Sequence, residues 1–169
     1  MSTDPHPSMH PTVQPSVHPP VHPPVHPMQL ALAEARLAYD AGEVPVGAVV
    51  VRDGIILARA HNRVERDSDP TAHAEVLAIR TAARLLGTPR LVDCDLYVTL
   101  EPCAMCAQAV SLARLRRLYF GAYDPKGGGV EHGAMVFARE TCHHQPEVVG
   151  GVREAEAAAL LRRFFAERR

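Results

Sequence analysis

Hydrophobic and polar positions alternate along this chain with two different periods. Apolar residues that recur every three or four positions predict helices, and short apolar or β-branched runs between turn residues predict strands. The predicted helices span about 28–42, 73–86, 103–113 and 153–167, and the predicted strands about 44–51, 55–60, 95–100, 116–121 and 147–149. This alternation of helices and strands predicts an α/β sandwich with a mixed sheet.

Turn and terminator residues set several of these boundaries. The pair Asp53-Gly54 lies between two β-branched runs and predicts a hairpin. Gly87 is a predicted helix stop, and Pro102 suits the first turn of a helix. The stretch 122–146 is expected to be irregular, with a hinge at its three consecutive glycines. The apolar faces of the first two helices are predicted at Leu30, Ala33, Leu37 and Ala38, and at Ala74, Leu77, Ala78 and Leu85.

The N-terminal segment differs in composition from the rest of the chain. Residues 1–27 are of low complexity, rich in Pro and His with V-H-P-P repeats, and contain almost no large apolar side chains. Such a segment buries too little surface to offset its chain entropy, so we expect a disordered or polyproline-like extension before a domain at 28–169. A loose metal-binding tail and a dispensable extension are both compatible with its five histidines, and the tolerance of termini favours the second. These histidines are His6, His10, His18, His22 and His26.

Charge and cysteine usage narrow the class of protein. A net charge of -1 excludes a generally basic nucleic-acid binder. Residues 114–169 nevertheless carry 10 Lys and Arg against 7 Asp and Glu. This excess of positive charge is either a surface that binds phosphates or an uneven distribution of ordinary solvent-exposed charges. No apolar run is long enough to span a membrane, and no secretory signal opens the chain. We therefore expect a cytoplasmic protein, in which four cysteines favour metal binding or catalysis over disulfides.

Two short segments at predicted helix starts carry the candidate chemistry. They read H-A-E at 73–75 and P-C-A-M-C at 102–106. The two sulfurs of a C-x-x-C at a helix start can bind one ion, and His73 can supply a third ligand. Three protein ligands leave one tetrahedral position open, which is typical of a catalytic zinc rather than a structural one. Glu75, two residues after the histidine, is then placed to move a proton.

Each half of this pattern has a simpler interpretation when taken alone. An isolated C-x-x-C is more often a redox or structural pair, and an isolated H-x-E is close to chance. The combination is much more specific, because H-x-E followed by P-C-x-x-C is the signature of zinc-dependent nucleobase deaminases.

The likeness extends well beyond this signature. The segments V-P-V-G-A-V-V-V, N-R, D-P-T-A-H-A-E, T-L-E-P-C-A-M-C and F-G-A-Y-D-P-K resemble the bacterial tRNA-specific adenosine deaminases of the cytidine and deoxycytidylate deaminase superfamily, over about residues 28–167. The resemblance implies a three-layer α/β/α sandwich with a mixed five-stranded sheet, a homodimer, and conversion of the wobble adenosine of a tRNA anticodon stem-loop to inosine. The stretches after Lys126 and around His143 depart from the family pattern.

The resemblance also implies roles for individual residues. Zinc is expected on His73, Cys103 and Cys106, one ion per chain, with Glu75 as the general acid and base. The expected substrate contacts are Asn62, Val44, Ala48, Ala74, Asp124, Lys126, His143 and Phe165.

Two other functions remain open at this point. A free-base or nucleoside deaminase of the same fold, of the guanine or cytosine type, would act without RNA. A zinc-stabilised binding module would have no turnover, but it would have no use for an unliganded carboxylate at Glu75.

Overall fold

The computed structural model describes residues 25–168 of the protein. Its strands are β1 (Gly47–Arg52), β2 (Ile55–His61), β3 (Cys94–Leu100), β4 (Arg117–Ala122) and β5 (Glu147–Val149). Its helices are α1 (Pro27–Asp40), α2 (Val64–Asp67), α3 (Ala74–Leu86), α4 (Ala104–Leu112) and α5 (Glu154–Ala166), with a 3₁₀ turn at Val136–Ala138.

The five strands form one mixed sheet in the order β2-β1-β3-β4-β5. Strand β1 runs antiparallel to both β2 and β3, whereas β3, β4 and β5 are parallel to one another. Helices cover both faces, so the predicted three-layer sandwich with a mixed five-stranded sheet is confirmed.

Alternate side chains of the central strands enter two separate cores. Ala48 and Val50 pack with α3 and α4 on one face of the sheet. Val49 and Val51 pack with α1 and α5 on the other face. A run of small and β-branched residues in β1 fits this place, because both sides of the strand are buried.

The predicted Asp-Gly hairpin is confirmed. Asp53 and Gly54 connect β1 to β2 and have φ of 50° and 78°. Two positive φ values are what a two-residue turn with the twist of the flanking strands requires.

The apolar face of α1 agrees only in part with the predicted one, since Ala38 is fully buried and Leu30 packs against the core as predicted. The side chains that enter the core include Met28, Ala31 and Ala35, whereas Leu37 is half exposed. The second predicted face, on α3, is also partly wrong, since Leu85 is 63% exposed. Both helices pack on the sheet through alanines together with a few large side chains, Met28 and Leu32 on α1 and Ile79 on α3, so the exposed leucines are not required for the core.

Helix α2 was not predicted, because a tertiary contact stabilises it. The buried carboxylate of Glu43 accepts the backbone N–H groups of Arg66 and Glu65 at 2.8 and 3.3 Å. These donors belong to the first turn of α2, where a helix lacks internal acceptors.

The predicted hinge at the three glycines is wrong. Gly128 and Gly129 are buried, and a Cβ atom on either would lie 2.5 Å from a backbone atom, of Asp124 and Ala104 respectively. This segment is packed against its neighbours rather than free to bend.

Helix α1 begins where the predicted domain begins. Its cap is His26, whose Nδ1 accepts the Met28 N–H at 3.2 Å, and Pro27 occupies the first turn. The remainder of the predicted extension, residues 1–24, lies outside the described residues, and its disorder stays a prediction. Within residues 25–168, every helix is too short or too polar to span a bilayer.

The sheet brings four segments together at one end. Parallel strands β3 and β4 end side by side, where the Glu101 N–H donates to Ala122 O at 2.8 Å. Strand β1 runs the other way and starts there, and the Gly47 N–H donates to Thr99 Oγ1 at 3.1 Å. Strand β2 ends there too, since Gly47 pairs with His61. The candidate site is built at this end.

Candidate active site

Three predicted metal ligands converge at the starts of two helices. His73 immediately precedes α3, Cys103 immediately precedes α4, and Cys106 lies in the first turn of α4. The Sγ atoms of Cys103 and Cys106 lie 3.7 and 3.5 Å from Nδ1 of His73. All three ligand atoms lie within 4.8 Å of one another, close enough to bind one ion.

The chemistry of these donors fits zinc. A hydrogen bond from the Cys106 thiol lowers the pKa of Cys103 to about 4, and a hydrogen bond from His73 acts in the same direction. The pKa of Cys106 is raised, first because Cys103 accepts from it and then because it is buried. One imidazole nitrogen and two sulfurs, at least one held as thiolate, form a typical zinc donor set.

Glu75 lies beside this cluster but is not part of it. It occupies the first turn of α3, two residues after His73, and only 3% of it is exposed. Burial raises its pKa to about 7, while its own backbone N–H and His73 act in the opposite direction. The site thus pairs a metal-binding cluster with a buried, unliganded carboxyl group.

Asn62 fixes the helix that carries both His73 and Glu75. Its Oδ1 atom accepts the N–H of Ala74 at 2.9 Å, and both residues are buried. Neither α3 nor its cap residue supplies a side chain for this N–H, so Asn62 satisfies it from the end of β2. The amide nitrogen of Asn62 is left to donate elsewhere.

A cavity of about 510 Å³ is lined by Asn62, His73, Glu75 and Cys103. Val44 and Val46 form an apolar part of its wall. The volume lies in the range of small-molecule sites and accommodates a nucleoside.

A second, larger cavity continues from the first towards α5. It has a volume of about 820 Å³ and shares Val44, Leu100, Asp124 and Arg168 with the first. Lys126 and Phe165 line it, and Phe165 is 50% exposed. The predicted contacts Val44, Asn62, Asp124, Lys126 and Phe165 are therefore brought together along one groove.

Three predicted substrate contacts do not line this groove. Ala48 is fully buried in the sheet, because its side chain points to the core under α3, and Val46 takes the place predicted for it. Ala74 is also fully buried, and Asn62 occupies its N–H. His143 lies near the start of β4, since its neighbour His144 bonds Leu115 O, whereas the groove lies beyond the far end of β4.

Several lining residues were not predicted from the sequence. They include Glu43, Glu101, Phe164 and Arg168. Glu101 lies within the T-L-E-P-C segment, but only the folded chain shows its partners. Arg168 is held by packing over the ring of Phe164, 3.6 Å from the ring centre, and the sequence carried no signal for that contact.

Comparison with known proteins places this geometry in a family. The model of the cytidine and deoxycytidylate deaminase zinc-binding region matches residues 25–122, which include all three candidate ligands. The tRNA-specific adenosine deaminase of Agrobacterium fabrum is 57% identical over 142 residues, which are 84% of this chain and 93% of that protein.

Solved structures agree with this assignment. A structure from work on A-to-I editing by tRNA deaminases at the wobble position of transfer RNA superposes with a TM-score of 0.79 and 57% identity, over 80% of this chain and 99% of that one. A guanine deaminase from Nitrosomonas europaea superposes with a TM-score of 0.72 but only 27% identity, over 83% of each chain. This chain is a zinc-dependent deaminase of the cytidine and deoxycytidylate deaminase superfamily, and within it the chain belongs to the tRNA-specific adenosine deaminase family.

Proposed function

We propose that this protein hydrolyses the wobble adenosine of a tRNA anticodon to inosine. The observation that carries the proposal is one continuous groove, which joins the metal-binding cluster and a buried carboxyl group to an exposed basic and aromatic surface. The 57% identity to an adenosine deaminase of tRNA, against 27% and 33% to two guanine deaminases, supports the choice of substrate.

His73, Cys103 and Cys106 would hold the zinc ion, as their geometry and their donor atoms allow. When bound, zinc lowers the pKa of water towards neutrality and so supplies a nucleophile at ordinary pH. Glu75 takes the two protons of the attacking water in turn and delivers one to ring N1 of adenine and the other to the departing amino nitrogen. Carbon 6 of adenine gains a bond to oxygen and loses its bond to nitrogen, so one water is consumed and one ammonia is released.

Asn62 and the cavity wall orient the base during this step. Oδ1 of Asn62 is engaged by Ala74, so its amide nitrogen is the group that can donate to the nucleoside. Val44 and Val46 offer an apolar wall for the face of the base. Fixing the base beside Glu75 removes much of the entropic cost of the reaction.

The outer groove suits an unpaired loop of RNA. Phe165 offers an exposed ring on which a splayed base can stack. Lys126, Arg162 and Arg168 line the same cavity and can meet phosphates. A target base has to leave its stack to reach Glu75, and this costs least in an unpaired loop such as an anticodon.

The proposal also includes a homodimer that works in the cytoplasm, where the tRNA would be modified. The family resemblance supports the dimer. Sedimentation equilibrium of the full chain tests it, with twice the monomer mass expected and the monomer mass alone contradicting it.

The experiment that tests the function follows inosine formation in an anticodon stem-loop with adenosine at the wobble position. Wild-type protein should convert it, and Glu75→Gln should keep its zinc but lose about 10²–10⁴-fold in rate. Glu140→Gln, at an exposed carboxylate outside the groove, is the matched control and should behave as wild type.

Zinc content separates the two roles within the site. Cys103→Ser should lose both zinc and activity, because a ligand is removed. Loss of zinc from Glu75→Gln would instead show that Glu75 is a ligand, and absence of inosine with wild-type protein would reject the proposed function.

A further inference from the structure

We propose that Glu101 is a positioning residue, which holds the loop 124–132 against the metal-binding helix α4 and thereby sets where Asp124 and Lys126 meet the substrate. The inference rests on the proposed function, and it assigns a role to a residue outside the catalytic cluster.

Five N–H donors converge on the Glu101 carboxylate, whose side chain is fully buried. Oε2 accepts the Asp124 N–H at 3.0 Å and the ring Nδ1–H of His132 at 2.8 Å. Oε1 accepts the N–H groups of Val130, Glu131 and His132, at 3.3, 2.9 and 2.9 Å. One carboxylate therefore fastens both ends of the loop.

The middle of the same loop is pressed against the start of α4. The Gly129 N–H donates to Pro102 O at 2.8 Å, and a Cβ atom on Gly129 would lie 2.5 Å from Ala104 N. A Cβ atom on Gly128 would lie 2.6 Å from the carboxyl carbon of Glu101. Without side chains at 128 and 129, the loop can close around the carboxylate and touch the start of α4, next to Cys103.

The residues fastened in this way belong to the substrate groove. Asp124 lines both cavities, and its Oδ1 accepts the N–H groups of Lys126 and Gly127. His73 and Glu75 have a separate support, because Asn62 fixes the start of α3. A defect at Glu101 should therefore displace the binding loop more than the catalytic groups.

Glu101→Gln tests this with almost no change of shape. The amide replaces one acceptor oxygen by an NH₂ group, which then faces N–H donors of the loop and cannot accept from them. We expect KM for the stem-loop to rise by about 10- to 100-fold, with kcat changed much less and with zinc retained. Gly128→Ala should likewise raise KM while changing kcat much less, because its Cβ would press against the same carboxylate.

Glu34→Gln is the matched control for a buried carboxylate. Glu34 accepts hydrogen bonds from Arg59 Nε at 2.9 Å and His61 Nδ1 at 2.8 Å, and it lines a separate cavity of about 290 Å³. Glu34→Gln should weaken these hydrogen bonds and lower the melting temperature but leave KM for the stem-loop unchanged. A rise in KM for Glu34→Gln equal to that for Glu101→Gln would show a general effect of instability and overturn the inference.

Hydrogen–deuterium exchange gives a second measurement that needs no substrate. The amides at 124 and 130–132 should exchange faster in Glu101→Gln, whereas those of α3 should stay protected. Unchanged exchange, or a fall in kcat with an unchanged KM, contradicts the inference while leaving the proposed function intact. A wild-type protein without stem-loop turnover contradicts the proposed function alone, and exchange then decides whether Glu101 holds the loop.

Discussion

Replacement of Asn62 by alanine tests whether one side chain supports both the fold and the substrate. Its Oδ1 atom is the acceptor for the Ala74 N–H at 2.9 Å, at a position where Ala74 is fully buried. Removing the acceptor leaves that N–H without a partner and without water, which costs about 1–3 kcal/mol. The melting temperature should then fall by roughly 2–12 °C for a domain of this size.

Aspartate at the same position separates the two roles. Asn62→Asp keeps an acceptor for Ala74, and a carboxylate at the start of α3 is favourable to the helix dipole. It loses the amide donor, so we expect turnover of the stem-loop to fall while the melting temperature falls less than in Asn62→Ala. Thermal unfolding and kcat/KM of both variants are the assays. A wild-type melting temperature for Asn62→Ala would refute the capping argument, and wild-type kcat/KM for Asn62→Asp would refute the substrate contact.

Four further predictions concern other parts of the chain. Gly47→Ala should destabilise the fold by about 1–3 kcal/mol or more, because its Cβ would overlap the carbonyl oxygen of Ala31, and an unchanged melting temperature contradicts this packing. His26→Ala should lower the free energy of unfolding by about 0.5–2 kcal/mol through loss of the α1 cap. Deletion of residues 1–24, ahead of that cap, should leave the melting temperature unchanged, and a large fall would show that the segment packs on the domain. Lys126→Ala should reduce the slope of log affinity for RNA against log salt by about one, and an unchanged slope would show that Lys126 meets no phosphate.

The order of elements could be predicted from local patterns alone. Five strands and four of the helices follow from hydrophobic period and turn residues, as the Asp53-Gly54 hairpin illustrates. Helix α2 could not, because the Glu43 carboxylate that stabilises it comes from before β1. The glycines of 127–129 suggested flexibility, but their lack of side chains serves close packing instead.

Some residues of the candidate site were likewise predictable from local sequence patterns, and others were not. His73, Glu75, Cys103 and Cys106 were predictable, since a metal site depends on ligand type and on short spacings within helix starts. The substrate groove was predictable only in part, because its wall is assembled from segments distant in sequence. Ala48, placed in the pocket wall by the family resemblance, lies inside β1 and is buried under α3, whereas Val46, just before β1, lines the cavity.

The capping role of Asn62 and the loop contacts of Glu101 have no sequence pattern of their own. Each side chain bonds backbone groups of another segment, 12 residues away for Asn62 and as many as 31 for Glu101. Such partners are fixed only when the strands that carry them have paired.

The central claim is that RNA, rather than a free base, is the substrate. The most direct measurement compares ammonia release by the zinc-loaded protein from an adenosine-containing anticodon stem-loop and from free adenosine, guanine, cytosine and cytidine, all at equal concentration. The account predicts that the stem-loop reacts fastest, because only it fills the groove from Asn62 to Phe165. Faster release from any free base or nucleoside would contradict the account and identify a small-molecule deaminase.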